Sequence, residues 1–164
     1  MSGILHRPWD ELVVGETAVT TGRTITEADV VGFAALSGDW HPQHADEVWA
    51  AASPFGARIA HGALVLSYAL GLVGFDPEFA VALRRLREVT FKRPVYIGDT
   101  VRTHMTVSAL TEVDERQGLL ELSMAIRTQR DEVAVRVTVE VLWRRGRPSD
   151  DGQIRPEAEE VGAR

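Results

Sequence analysis

The segment from His61 to Val73, HGALVLSYALGLV, constrains this chain more than any other. It holds no Asp, Glu, Lys or Arg and is apolar nearly all round at the helical period. It therefore predicts a helix enclosed by the rest of the protein, not one lying on its surface. The C-terminal half of the chain must do the enclosing. Ala80 to Phe91, Thr100 to Val113, Leu119 to Thr128 and Val133 to Trp143 all read as strands. The alternation is clearest in Val133, Val135, Val137, Val139 and Val141, with Arg136, Thr138 and Glu140 between them. Asp114 to Gly118 and Gln129 to Glu132 read as hairpin turns, and Pro94 with Gly98-Asp99 interrupts the run between the first two long strands. The expectation is an α+β fold in which one long central helix is wrapped by a curved antiparallel sheet. The open edges of such a sheet invite dimerisation.

The earlier part of the chain reads as smaller pieces. Residues 1–15 form an irregular lead-in, and Ala18 to Thr24 is a threonine-rich edge strand. Thr26 caps a helix, with Asp29 as its reciprocal acidic partner. The helix offers Val30, Phe33, Ala34 and Leu36 as its apolar face and stops at Gly38, which is suited to a left-handed conformation. Asp39-Trp40-His41-Pro42-Gln43-His44 is a polar, aromatic loop, since Pro42 keeps His41 out of helical geometry. Asp46 to Ala52 is a short helix, broken by Ser53-Pro54-Phe55-Gly56.

With 164 residues, 45% of them hydrophobic, the chain holds one domain, read as residues 1–145. The polar segment 146–164, with Pro148 and Pro156, reads as a disordered tail. The formal charge of −6 argues against a nucleic-acid partner. The absence of cysteine removes disulfides, thiol nucleophiles and cysteine-bound metals. No apolar run reaches the ~18 residues of a membrane span. The first ten residues lack the continuous apolar stretch of a signal peptide, so a soluble, cytoplasmic protein without a membrane partner is expected.

Three of the five histidines lie between His41 and His61. Asp39 and His44 flank a proline in one loop. Such a pair either fixes the loop or holds a water and moves its protons. His61-Gly62 opens the apolar helix, where first-turn N–H groups lack intrahelical partners. Gly62 then either lets the helix pack closely or leaves its N–H free for a carbonyl oxygen that becomes an oxyanion. His61 is either a ligand contact or a hydrogen-bonded structural residue. Asp39, His41 and His44 also offer three metal ligands, but without an H-E-x-x-H pattern or a second cluster, and no metal is expected.

The run Ala35-Leu36-Ser37-Gly38-Asp39-Trp40-His41-Pro42-Gln43-His44-Ala45-Asp46, then Pro54-Phe55-Gly56 and Ile59-Ala60-His61-Gly62, resembles the MaoC-like (R)-specific enoyl-CoA hydratases. Lys92-Arg93-Pro94-Val95-Tyr96-Ile97-Gly98-Asp99-Thr100 is similar to that family's downstream motif. The likeness runs from about Thr24 to Trp143. It implies a hotdog fold paired into a homodimer or higher homo-oligomer. It also implies reversible hydration of a trans-2-enoyl thioester to a (3R)-hydroxyacyl thioester. By that resemblance Asp39 and His44 match the catalytic pair, and Gly62 matches the residue whose N–H binds the thioester carbonyl. The family usually carries asparagine where this chain has His41.

The substrate would be an acyl-CoA or acyl carrier protein thioester, so coenzyme A or phosphopantetheine enters as part of the substrate and no separate cofactor is expected. Trp40, His41, Phe55, His61 and Val65 are expected at the substrate, with Leu66, Ala69 and Leu70 as further candidates for an acyl slot. Arg84, Arg85, Arg87, Lys92 and Arg93 form a basic segment that could meet the carrier's phosphates or simply be a solvated strand face. Two other readings are a hotdog acyl-CoA thioesterase, disfavoured by the lack of a carboxylate in 61–73, and a non-catalytic acyl-thioester-binding subunit.

Overall fold

A computed structural model describes residues 3–146. The tail expected over 146–164 therefore lies, beyond Gly146, outside the described residues.

Each long strand expected from the sequence is present. The strands are β1 (Thr17–Val19), β2 (Arg23–Thr24), β3 (Ala80–Phe91), β4 (Thr100–Glu112), β5 (Gln117–Thr128) and β6 (Val133–Arg144). They form one antiparallel six-stranded sheet in the order β1-β4-β5-β6-β3, with β2 also on β4. The edge strand expected over 18–24 is thus two short pieces, both paired to β4. Val101, Met105 and Val107 of β4, Leu120, Leu122, Met124 and Ile126 of β5, and alternate valines of β6 turn inward and are buried. Their period of two is what makes one face of the sheet the core.

The helices are α1 (Glu27–Ser37), α2 (Pro42–Ala45), α3 (Glu47–Ala51) and α4 (Gly62–Val73). Helix α4 is the apolar segment of the sequence. Leu64, Val65, Ala69 and Val73 face the sheet and are buried. Ala63, Ser67 and Gly71, four residues apart, remain exposed. The helix is therefore embraced on one side and not enclosed, because the sheet curves without closing over it.

Helix α1 starts as its sequence implies. Thr26 Oγ1 accepts from the Asp29 N–H at 3.2 Å, and Asp29 accepts from the Thr26 N–H at 2.7 Å. Gly38 ends it with φ 78°. Val30 and Ala34 are buried, but Leu36 is 84% exposed and does not belong to the apolar face.

Strand β3 is the exception to the alternating pattern. It pairs only with β6, and Leu83, Val89 and Phe91 stay largely exposed along it. An edge this long carries a row of unpaired backbone groups. At the opposite end of the core, Trp143 is fully buried, and its Nε1–H donates to the Arg7 carbonyl at 2.9 Å.

Candidate active site

The loop between α1 and α2 is held by its own side chains. Pro42 stands at the first position of α2, where a missing N–H costs nothing. His41 is the residue before it, and its Nδ1 accepts from the Gln43 N–H at 3.2 Å, capping the helix. The short helix interrupts what the sequence suggests is a plain loop, and it is this turn that carries His44 inward. His44 is 4% exposed.

The His44 ring has a defined protonation pattern. Nδ1 lies 2.7 Å from the carbonyl oxygen of Ile59 and so carries the proton. Nε2 is then the lone-pair nitrogen. It accepts from the Gln43 side-chain amide at 3.0 Å and stands 4.0 Å from Asp39 Oδ2. Burial, and secondarily the neighbouring His61 and His41, push the His44 pKa below the usual histidine value against the opposing pull of the Ile59 carbonyl and Asp39. The ring is held neutral.

Asp39 follows the left-handed Gly38. Its side chain is about half exposed, and Oδ1 accepts from the His41 N–H at 3.2 Å. This carboxylate has little protein hydrogen bonding, so it is free to hold something else.

His61 precedes α4 and is 2% exposed. Its ring stacks on His44 with centroids 3.8 Å apart, and its Nε2 donates to the Asp39 carbonyl oxygen at 3.0 Å. Gly62 is the first residue of α4, where a backbone N–H has no intrahelical acceptor. A Cβ on Gly62 would lie 2.7 Å from Cε1 of Phe91. The glycine thus makes room for a ring that β3 brings against it, besides leaving its N–H open.

These groups border a pocket of about 640 Å³. Asp39, His44, His61 and Gly62 meet there, with Phe55 and Val65. Lys92 and Arg93 also border it, beside Pro94 and Val95. The other expected residues lie elsewhere. Trp40 is more than half exposed outside the pocket, and His41 spends its ring nitrogen on capping. Leu66, Ala69 and Leu70 pack on the core side of α4. Arg84 and Arg85 do not border the pocket; Arg85 and Arg87 turn to Glu140, at 3.8 and 2.9 Å. Sequence reasoning missed Phe33, Gln43, Ile59, Phe91 and Val135, all in the pocket wall. Gln43 had a signal in its place beside His44. Phe91 had none, since only β3 pairing carries it to Gly62.

Asp39, His44 and His61 each offer a donor atom, all within 4.8 Å of one another. His44 Nδ1 is committed to the Ile59 carbonyl and His61 Nε2 to the Asp39 carbonyl, so neither of these nitrogens is open to an ion. The arrangement suits a water between a carboxylate and a neutral imidazole better than a metal. Among the described residues no helix is long and apolar enough to cross a membrane.

Comparison with known proteins places these features. The chain is 38% identical over 111 residues to protein MaoC of Klebsiella aerogenes, covering 66% of this chain and 32% of that protein. It therefore spans about a third of that relative's length. It is 36% identical over 107 residues to an (R)-specific enoyl-CoA hydratase of Rhodospirillum rubrum, covering 65% of this chain and 73% of the hydratase. The structure of a monoamine oxidase regulatory protein from Archaeoglobus fulgius superposes with a TM-score of 0.80 at 33% identity, covering 85% of this chain and 95% of that one. A Mycobacterium tuberculosis protein with a double hotdog fold superposes with a TM-score of 0.75 at 21% identity, over 96% of this chain and 52% of that one, which bears on the fold alone. Residues 11–139 match the family described as the MaoC like domain, so this hotdog chain, with its Asp39–His44 corner beside Gly62, belongs to the MaoC-like dehydratase family.

Proposed function

We propose that the protein catalyses the reversible hydration of a trans-2-enoyl thioester to a (3R)-hydroxyacyl thioester. The observation that carries this reading is the neutral His44, proton fixed on Nδ1 by the Ile59 carbonyl, with Nε2 facing Asp39 across 4.0 Å at the mouth of α4. That gap admits a bridging water held by both side chains. Such a water is held against C3 of a thioester whose carbonyl oxygen meets the Gly62 N–H. The Gln43 amide, which occupies the one lone pair of Nε2, gives way to this water; as the water oxygen adds to C3, His44 Nε2 takes its proton, negative charge grows on the thioester oxygen, and a proton returns to C2 through the same pair. The water supplies both the hydroxyl on C3 and the hydrogen on C2, so the reaction needs no redox partner.

Lys92 and Arg93 are the residues proposed to meet the carrier's phosphates. They border the pocket in a chain that is otherwise acidic, and Lys92 has no ion-pair partner among the described residues. The substrate is an acyl-CoA or acyl carrier protein thioester, and the exposed β3 edge is the surface proposed to pair with a second copy in a homodimer.

The test is to mix the protein with crotonyl-CoA and follow the enoyl-thioester absorbance, with free thiol assayed in parallel. Loss of absorbance without thiol, abolished in Asp39→Asn, supports hydration. Thiol release replaces this reading with thioester hydrolysis.

A further inference from the structure

The dyad has a weak point. Asp39 and His44 sit on different elements, one following α1 and one on α2, and their side chains are too far apart to hold each other directly at 4.0 Å. Something else must keep them in register. Within the loop His41 spans them, its N–H donating to Asp39 Oδ1 at 3.2 Å and its carbonyl accepting from the His44 N–H at 2.9 Å; from outside the loop His61, at the start of α4, touches both. Its Nε2 meets the Asp39 backbone oxygen at 3.0 Å, and its face lies against the His44 ring at 3.8 Å. Phe33 of α1 packs against the same His61 ring with centroids 5.0 Å apart, so the ring is gripped from the helix that leads into Asp39.

A ring kept only for packing would be apolar. His61 Nδ1 is buried with no hydrogen-bond partner among the described residues. Leaving a buried nitrogen unsatisfied is destabilising, and phenylalanine at this position would avoid that cost. The feature that phenylalanine lacks is the Nε2–H donated to Asp39. The orphaned Nδ1 also settles the tautomer, because the bond to a carbonyl oxygen requires the proton on Nε2.

We propose that His61 is a positioning residue that ties the two halves of the dyad together, holding the Asp39 backbone through its Nε2–H and the His44 ring through its face. The inference rests on the Asp39–His44 hydratase reading and extends it. His61 does not touch the reacting atoms in this scheme. It acts by keeping His44 covered and Asp39 in place. The other charged or titratable groups facing His44 are Asp39 itself, His41 at the cap of α2, and Lys92 and Arg93 on the far pocket wall.

Two variants separate the two contacts. His61→Phe keeps a flat ring on His44 and removes the donor. His61→Gln keeps an amide donor for Asp39 and removes the ring. Each is studied by hydration kinetics with crotonyl-CoA, by NMR titration of the His44 imidazole in nitrogen-labelled protein, and by amide exchange of residues 39–44. His61→Phe should lower kcat about tenfold or more while KM changes little, should speed exchange in the loop, and should leave the His44 titration in place. His61→Gln should restore slow exchange in the loop. It should also move the His44 titration, and with it the acid limb of kcat/KM, to higher pH as water reaches the ring. A fully active His61→Phe with unchanged loop exchange overturns the proposal. So does a His61→Gln whose His44 titrates as in the unaltered protein. If the unaltered protein hydrates no enoyl thioester, the hydratase reading fails, while the titration and exchange data still decide whether His61 ties the pair.

Discussion

The same dipeptide occurs twice with opposite outcomes. Gly38-Asp39 and Gly98-Asp99 each place an aspartate after a glycine of positive φ, 78° and 94°. Asp99 is 4% exposed. It accepts from the Tyr96 N–H at 3.0 Å, the Gln129 amide at 2.7 Å and both terminal nitrogens of Arg130 at 2.9 and 3.1 Å. Burial pushes its pKa up, but these donors outweigh that and hold it below the ordinary carboxylate value. Asp39 has one weak backbone donor and an open side chain. A carboxylate whose lone pairs are all filled is structural. One left half-filled beside a neutral imidazole is available for chemistry. Both lie within the residues 11–139 that match the family, and only their surroundings tell them apart.

The sharpest break of this contrast is Asp39→Asn or His44→Ala. Either should lower the hydration rate by about 10²–10⁴-fold; the thermal midpoint should barely move in Asp39→Asn, whose side chain is half exposed, and should fall in His44→Ala, which removes a buried ring stacked on His61. Full activity in either, with the fold intact by circular dichroism, would cancel the difference between the two aspartates. Asp99→Asn should behave in the reverse way. Urea unfolding should show a loss of about 2 kcal/mol, less than the 3–5 of a fully enclosed pair because Arg130 is half exposed. Activity per folded molecule should persist.

Gly62→Ala sets the added methyl against Phe91 and should lower kcat by about tenfold or more through displacement of the N–H. Phe91→Leu in the same chain should recover part of that loss, as read by steady-state kinetics.

Acid distinguishes the two corners further. The folded pKa of Asp99 is depressed, so its stabilisation is present above the unfolded carboxylate value of about 3.9 and is lost as pH falls from there through the folded value. Asp99→Asn should therefore flatten the acid side of the stability curve. His44 is also depressed, so the acid limb of kcat/KM should fall below the ordinary histidine value of about 6.5. The smallest effect is expected for His41→Asn. Asparagine can accept from the Gln43 N–H as the ring does, so stability should change by about 0.5 kcal/mol or less, measured by thermal melts.

Much of this was legible in the chain. Period-two valines and an apolar helix determine a curved sheet around α4, because burial of one face leaves no other register. The Thr26–Asp29 cap, the stop at Gly38 and the strand boundaries follow from local rules that need no partner from far away. Asp39, His44 and Gly62 stand out as candidates through the resemblance of their stretches to the MaoC-like hydratases, since the local pattern by itself leaves a structural role open for each. The position of Phe91 over Gly62 was not legible. It depends on β3 pairing with β6 far along the chain, and β3 itself departs from the expected pattern because it is an edge. The roles of Trp40, Arg84 and Arg85 were equally invisible, as composition says a residue is aromatic or basic but not which way it turns. Sequence determined which residues could do chemistry. Only the tertiary structure decided which carboxylate is left unfilled, which histidine nitrogen keeps its lone pair, and which ring lies against the pair, because those depend on the acceptor at Ile59 and the donors at His61 and Arg130, residues distant in sequence from the groups they contact.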